Sequence, residues 1–273
     1  MHLKSSSRQS ICRFAFTRHE FFLIAFISLS AAIAVAEEKK KEEKKDPPQI
    51  LVAVPLTAIS GATNSIKLRG LRLDNATAVR LAATNAGIQI TLKSKGKADV
   101  PKPLEAKKLG DTQVEISFVL PTDAPPSSLA LIVITPDGES KPHTIPVFAP
   151  GSIAKEKESN GGFRQAQALN FGQTIQGEIS DANDVDTFQF SGKAGQIIHA
   201  EVHAARLGSP LDATLTLFDA RGQIIAVDDD AAGGSDAGLK VKLPRAGVYF
   251  LAVQDAHGRG SGAHVYLLNV KAE

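Results

Sequence analysis

The sequence predicts an all-β protein: two antiparallel β-sandwich domains after an N-terminal signal segment. Three observations lead there. From residue 49 onward, short alternating or apolar runs recur, separated by Gly, Pro, Asn and Asp clusters such as "DAPPSS" and "TPDGES", a spacing that favours antiparallel strands over βαβ units. Only "FRQAQAL" (163–169) reads as helical, and for barely two turns. The one cysteine, Cys12, lies upstream of the first apolar run. Disulfides, Cys-ligated zinc and a cysteine nucleophile are therefore not expected downstream, and stability must come from apolar burial.

Lys4, Arg8, Arg13 and Arg18 precede "FFLIAFISLSAAIAVA" (21–36), which ends in Ala34-Val35-Ala36. This is the layout of a secretory signal peptide, with cleavage expected after Ala36 and an uncleaved N-terminal anchor as the alternative. Removing residues 1–36 takes away four Lys/Arg and one Glu, leaving 27 basic against 28 acidic residues, a charge of −1. A near-neutral chain has no electrostatic footprint for nucleic acid. Residues 37–48, "EEKKKEEKKDPP", balance five lysines with five acids and cannot bury apolar surface. They are expected to form a solvated charged tether, closed by prolines that stop a helix.

The first sandwich is expected over 49–148, from "ILVAV" (50–54), "SIKLRG" (65–70), "AVRLA" (78–82), "IQITL" (88–92), "VEISFVL" (114–120) and "LALIVIT" (129–135). "PDG" (136–138) is a turn, since Pro presets φ and Gly supplies a positive one. The polar, Gly-bearing segment 149–162 reads as a linker. The second sandwich is expected over 163–273, with eight strands from "QTIQGEI" (173–179) to "AHVYLLNV" (263–270). That is the strand count of a jelly roll.

The C-terminal half resembles the bacterial pre-peptidase C-terminal (PPC) domain. The matching pieces are "EKESNGGFRQAQAL", "GQTIQGEISDANDVDTFQF", "ARLGSPLDATLTLFDARGQIIAVDDD" and "LPRAGVYFLAVQD", in the family's order. The resemblance implies a β-sandwich of the kind appended to secreted proteases, similar to the collagen-binding modules of bacterial collagenases, some of which bind calcium. More loosely, "PQILVAVP", "GATNSIKLRGLRLDNATAVRL" and "LALIVITPDGES" resemble an IPT/TIG-type immunoglobulin-like domain. That implies an Ig-like module that presents surface.

The PPC resemblance also implies a calcium site: an acidic E-x-E-x-N stretch, here Glu156, Glu158 and Asn160, and an acidic turn, here Asp181, Asp184 and Asp186. Calcium takes six to eight hard oxygens, which closely spaced carboxylates and an amide carbonyl can supply. Gly161 stands where a further acid is frequent, which removes a ligand. The alternative is a solvated acidic linker and an Asx-rich turn. "VDDDAAGGSDAG" (227–238) lacks EF-hand spacing and its bidentate Glu, so Asp228–Asp230 read as a turn that ends a strand. His199, Glu201 and His203 share one strand face, but the two histidines lie roughly 13 Å apart, too far for one zinc ion to meet all three. G-x-S-x-G, H-E-x-x-H, Walker and G-x-G-x-x-G patterns are absent, so no enzyme is expected. The expected role is a non-catalytic binding or presentation module, secreted or in the periplasm or cell envelope. Its partner would be an extracellular or envelope protein or polysaccharide, with calcium as the one candidate cofactor. The alternatives are an accessory or propeptide-like partner of a secreted peptidase, and a small hydrolase built from Asp228–Asp230, His199, His203 and Asp212.

Overall fold

The computed structural model describes residues 46–83, 88–123, 128–231 and 234–273. The expected signal segment, and the tether up to residue 45, lie outside the described residues. Among the described residues no helix is long and apolar enough to cross a membrane. The chain is nearly all β, in mainly antiparallel sheets.

The first set of strands runs β1 (Gln49–Val54), β2 (Ala58–Ile59), β3 (Thr63–Leu71), β4 (Ala78–Leu81), β5 (Thr91–Lys97), β6 (Thr112–Val119), β7 (Ser128–Thr135), β8 (Gly138–Glu139) and β9 (His143–Phe148), with a single-turn helix α1 (Ala106–Leu109) before β6. One sheet has the order β1-β3-β6-β5; the other has the order β2-β9-β7-β4, with β8 paired to β7. Period-two burial decides the faces: on β3 and β6, Ile66, Leu68, Val114, Ile116 and Phe118 point inward, while Lys67 and Glu115 pair outside. They meet Leu131, Val133, Ile145 and Val147 of the opposite sheet.

The second set runs β10 (Ile153–Lys155), β11 (Gln167–Ala168), β12 (Thr174–Glu178), β13 (Val185–Gly192), β14 (Ile197–His203), β15 (Ala213–Asp219), β16 (Ile224–Asp228), β17 (Gly238–Lys242), β18 (Gly247–Asp255) and β19 (Val265–Ala272), with a 3-10 turn at Ala205–Leu207. The sheets are β10-β12-β19-β14-β17 and β11-β13-β18-β15-β16. Phe188, Phe190, Val202, Leu215, Leu251, Tyr266 and Leu268 fill the space between them.

Two local expectations are corrected, and one strand was not foreseen. Residues 163–169 form a turn followed by β11, which pairs in parallel with Phe188–Gln189. A seven-residue helix has little intrinsic stability. The open edge of β13 offers ladder bonds instead, and Phe163 stacks on Phe250 with ring centroids 4.3 Å apart. β5 begins at Thr91, so only the last two residues of "IQITL" belong to it. β9 carried no expectation because Pro146 interrupts its pattern. Its partner β2 reaches only Val147 and Phe148, which leaves Pro146 on an edge that tolerates a missing N–H.

A third apolar cluster joins the two sandwiches. Val52, Leu56 and Leu109 of the first meet Ala263, Val265 and Leu267 of the second, all buried. Thr57 Oγ1 donates to Gln176 Oε1 across the junction at 3.0 Å. At Gly208 the backbones nearly touch: a Cβ there would lie 2.1 Å from the carbonyl oxygen of Leu51.

Candidate metal centre

The segment 149–162 leaves β9 and immediately joins the second sandwich as β10, in parallel with β12. The pairing continues past the strand, with Glu156 N–H donating to the Gln176 carbonyl at 3.0 Å. It delivers the Glu156 side chain over Gly177, where a Cβ would lie 2.3 Å from both Glu156 Oε2 and the Tyr266 hydroxyl. Only glycine leaves room for that carboxylate.

Asp186 enters from β13 and is fully buried. Its Oδ2 accepts the Tyr266 hydroxyl at 2.6 Å, and the same hydroxyl lies 3.1 Å from Glu156 Oε2. Glu156 Oε1 accepts the Glu178 N–H at 2.9 Å. Glu156, Glu158 and Asp186 bring carboxylate oxygens within 4.8 Å of one another. Asn160 is completely buried; its N–H donates to Glu158 Oε2 at 3.2 Å, and its carbonyl accepts from Thr187, the neighbour of Asp186. Yet both polar atoms of the Asn160 side chain, and Asp186 Oδ1, meet no hydrogen-bond partner. Buried polar atoms in that state cost about 1–3 kcal/mol each.

The electrostatics point the same way. Burial, reinforced by the charge of Asp186, pushes the Glu156 carboxyl up to about 9. Burial also pushes Asp186 up to about 6, against the opposing Tyr266 hydrogen bond. Glu178 is raised by burial and by the charges of Asp184, Asp181 and Glu158. Clustered, desolvated carboxylates without a cation disfavour their own ionisation, which is the field a divalent ion would relieve. The donor set is all hard oxygen, the kind calcium or magnesium takes and a thiophilic metal does not.

Of the six residues singled out from sequence, Glu156, Glu158, Asn160 and Asp186 are brought together. Asp184 instead closes the turn, its Oδ2 accepting Ser180 N–H at 2.8 Å and Ser180 Oγ at 3.1 Å. Asp181 is exposed on that turn. Sequence reasoning missed Tyr266, Gly177 and Glu178. The available signal was a tyrosine at an inward position of an apolar strand, which needs a polar partner for its hydroxyl.

The other candidates disperse. Asp228 Oδ2 accepts Gly238 N–H at 2.8 Å, while Asp229 and Asp230 are exposed. Asp236 is buried and caps the 3-10 turn by accepting from Ala204, Ala205 and Arg206 backbone N–H groups. On β14, His199 Nε2 lies 3.1 Å from Glu273 and His203 Nε2 lies 3.2 Å from Glu201, so each imidazole has its own carboxylate. They line a groove of about 840 Å³ with Phe148, Lys240, Asn269 and Lys271. Asp212 sits elsewhere, with Arg259 and His257 at 3.7 and 3.9 Å.

Residues 184–255 match the model of the bacterial pre-peptidase C-terminal domain. The matched stretch runs from Asp184 through β18, so this PPC region contains Asp186 but not Glu156, Glu158, Asn160 or Tyr266. A probable subtilase-type serine protease of Deinococcus radiodurans is 39% identical over 103 residues, which cover 37% of this chain and 14% of that one. The chain thus spans about one-seventh of that relative's length. Among solved structures, the pre-peptidase C-terminal domain of a Bacillus anthracis collagenase is 21% identical, covering 39% of this chain and 94% of that one, with a TM-score of 0.32. The periplasmic g-type lysozyme inhibitor PliG of Aeromonas hydrophila is 16% identical, covering 44% of this chain and 97% of that one, with a TM-score of 0.31.

Proposed function

We propose that this chain is an exported, non-catalytic binding or presentation module whose PPC sandwich is completed by calcium. In this reading residues 1–36 are a signal segment and the first sandwich is an IPT/TIG-type surface-presenting unit. The second would hold calcium through Glu156, Glu158, Asp186 and Asn160. The observation that carries the metal is the pair of fully buried side chains, Asn160 and Asp186, with unpartnered polar atoms beside converged carboxylates. The ligand of the module is an extracellular or envelope protein or polysaccharide, met by a sandwich face or loop end.

Thermal melting of the full chain tests the metal. Extracellular calcium modules bind at about 10⁻⁴–10⁻³ M, and ligand at tenfold that value stabilises by about 1.4 kcal/mol. The midpoint should rise by several degrees between EDTA and 10 mM calcium. Equal midpoints would sink the calcium reading.

A second reading, an accessory partner of a secreted peptidase, is supported by the 39% identity to part of a subtilase-type protease. Pull-down from the culture medium separates the two readings: recovery of a peptidase favours the accessory role, and recovery of envelope protein or glycan favours presentation.

A further inference from the structure

Building on the reading of this chain as a binding module, we infer that the groove on the outer face of the sheet β10-β12-β19-β14-β17 takes an acidic polysaccharide. Its sugar carboxylates would be held by Lys240 and Lys271.

The groove is the uncovered part of a face that the first sandwich partly covers. On β19, Tyr266, Leu268 and Val270 point into the core of the second sandwich. Alternation therefore turns Val265, Leu267, Asn269 and Lys271 outward. Val265 and Leu267 are buried in the cluster that joins the sandwiches, with Phe148 of the first sandwich packed against it. Asn269 and Lys271 continue the same face into the open, where Phe148 becomes a wall of the groove of about 840 Å³.

Register decides what the floor offers. Lys240, His199 and Lys271 stand directly opposite one another on β17, β14 and β19. The next outward row is Gly238, Glu201 and Asn269. The two lysines are two strand spacings apart, roughly 9.6 Å, which suits the disaccharide repeat of an extended 1,4-linked chain. Both are exposed, and neither pairs with an acid among the described residues. The acids of the groove sit against imidazoles instead: Glu273 lies 3.1 Å from His199 Nε2, and Glu201 lies 3.2 Å from His203 Nε2. The two ammonium groups thus remain for a ligand's carboxylates. Thr174 Oγ1 donates to Asn269 Oδ1 at 2.6 Å, which leaves the Asn269 amide nitrogen to donate to a sugar oxygen. Neither row carries an outward aliphatic side chain, so an apolar residue of a peptide would find no pocket there. A single exposed ammonium–carboxylate contact is weak in water. A polymer that repeats its carboxylates engages several at once and gains by avidity.

The experiment is titration calorimetry of the full chain with polygalacturonate, in EDTA so that calcium cannot bridge carboxylates. A neutral β-glucan and poly-glutamate of similar length are titrated alongside. Polygalacturonate should bind and the other two should not. Lys240→Gln/Lys271→Gln should weaken binding about tenfold or more. Lys93→Gln/Lys107→Gln removes the same charge from exposed positions of the first sandwich and should leave binding unchanged. Equal binding of the glucan or of poly-glutamate overturns the inference, as does an equal loss in both double variants. If polygalacturonate fails to bind while the wild type still retains an envelope component in the pull-down, this inference falls and the binding-module reading stands. Failure in both assays removes both.

Discussion

Tyr266 places one hydroxyl proton between two acids, donating to Asp186 while lying 3.1 Å from Glu156. At the scale of single residues this makes the metal-free site a cluster of acids bridged by one hydroxyl and otherwise tied only to backbone N–H groups. Asp186→Asn removes the buried charge, so the variant should melt a few degrees higher than wild type in EDTA and lose its response to calcium. The sign with pH also follows. Glu156, raised to about 9 in the fold, contributes stability below its unfolded value of 4.5, and that contribution is lost as pH rises toward 9. Melting in EDTA should therefore fall between pH 5 and 9, and calcium should flatten the slope. The chain has two tyrosines and no tryptophan, so terbium emission excited through tyrosine can arise beside Tyr266 or Tyr249 only. Tyr266→Phe should abolish the emission, while Tyr249→Phe, whose hydroxyl donates to the Arg245 carbonyl, should leave it. The resemblance to PPC domains pointed at Glu156, Glu158 and Asn160 and, in the acidic turn, at Asp181, Asp184 and Asp186, of which the turn contributes only Asp186 to the cluster. The partners of Tyr266 were illegible because Asp186 and Glu156 lie 80 and 110 residues away, and the role of Gly177 appears only once Glu156 and Tyr266 are packed over it.

Strands explain what was readable and what was not. Period-two alternation made β3, β6, β12 and β14 visible, since each has one wet and one buried face. β9 was hidden by Pro146, and β10 by its lack of any local signal: three residues become a strand only because β12 has a free edge. The same edge sets a sharp requirement. Gly177→Ala would drive a methyl into Glu156 and Tyr266, so it should lower the melting midpoint and remove the calcium response together. On the exposed edge strand β5, Lys93, Lys95 and Lys97 stand at alternate positions, a pattern that discourages edge-to-edge pairing between molecules.

For the whole molecule, the decisive feature is that the two cores share a small third one. Leu109, from the single turn α1, is fully buried in that shared cluster. Leu109→Ala should cost about 2–5 kcal/mol of contact, seen as faster proteolysis between residues 149 and 162 at unchanged strand content. Gly208 has φ +89° and a Cβ-forbidding approach to Leu51, so Gly208→Ala should have the same effect. Two sandwiches were legible from turn spacing; their contact was not, because outward apolar residues such as Val265 and Leu267 look like any other core positions in sequence. The path of β10 carries a practical corollary for anyone transplanting the C-terminal unit. A cassette trimmed to residues 184–255 would keep Asp186 yet discard Glu156, Glu158, Asn160 and Tyr266, whereas one beginning near Ile153 and running through β19 carries every oxygen donor with it.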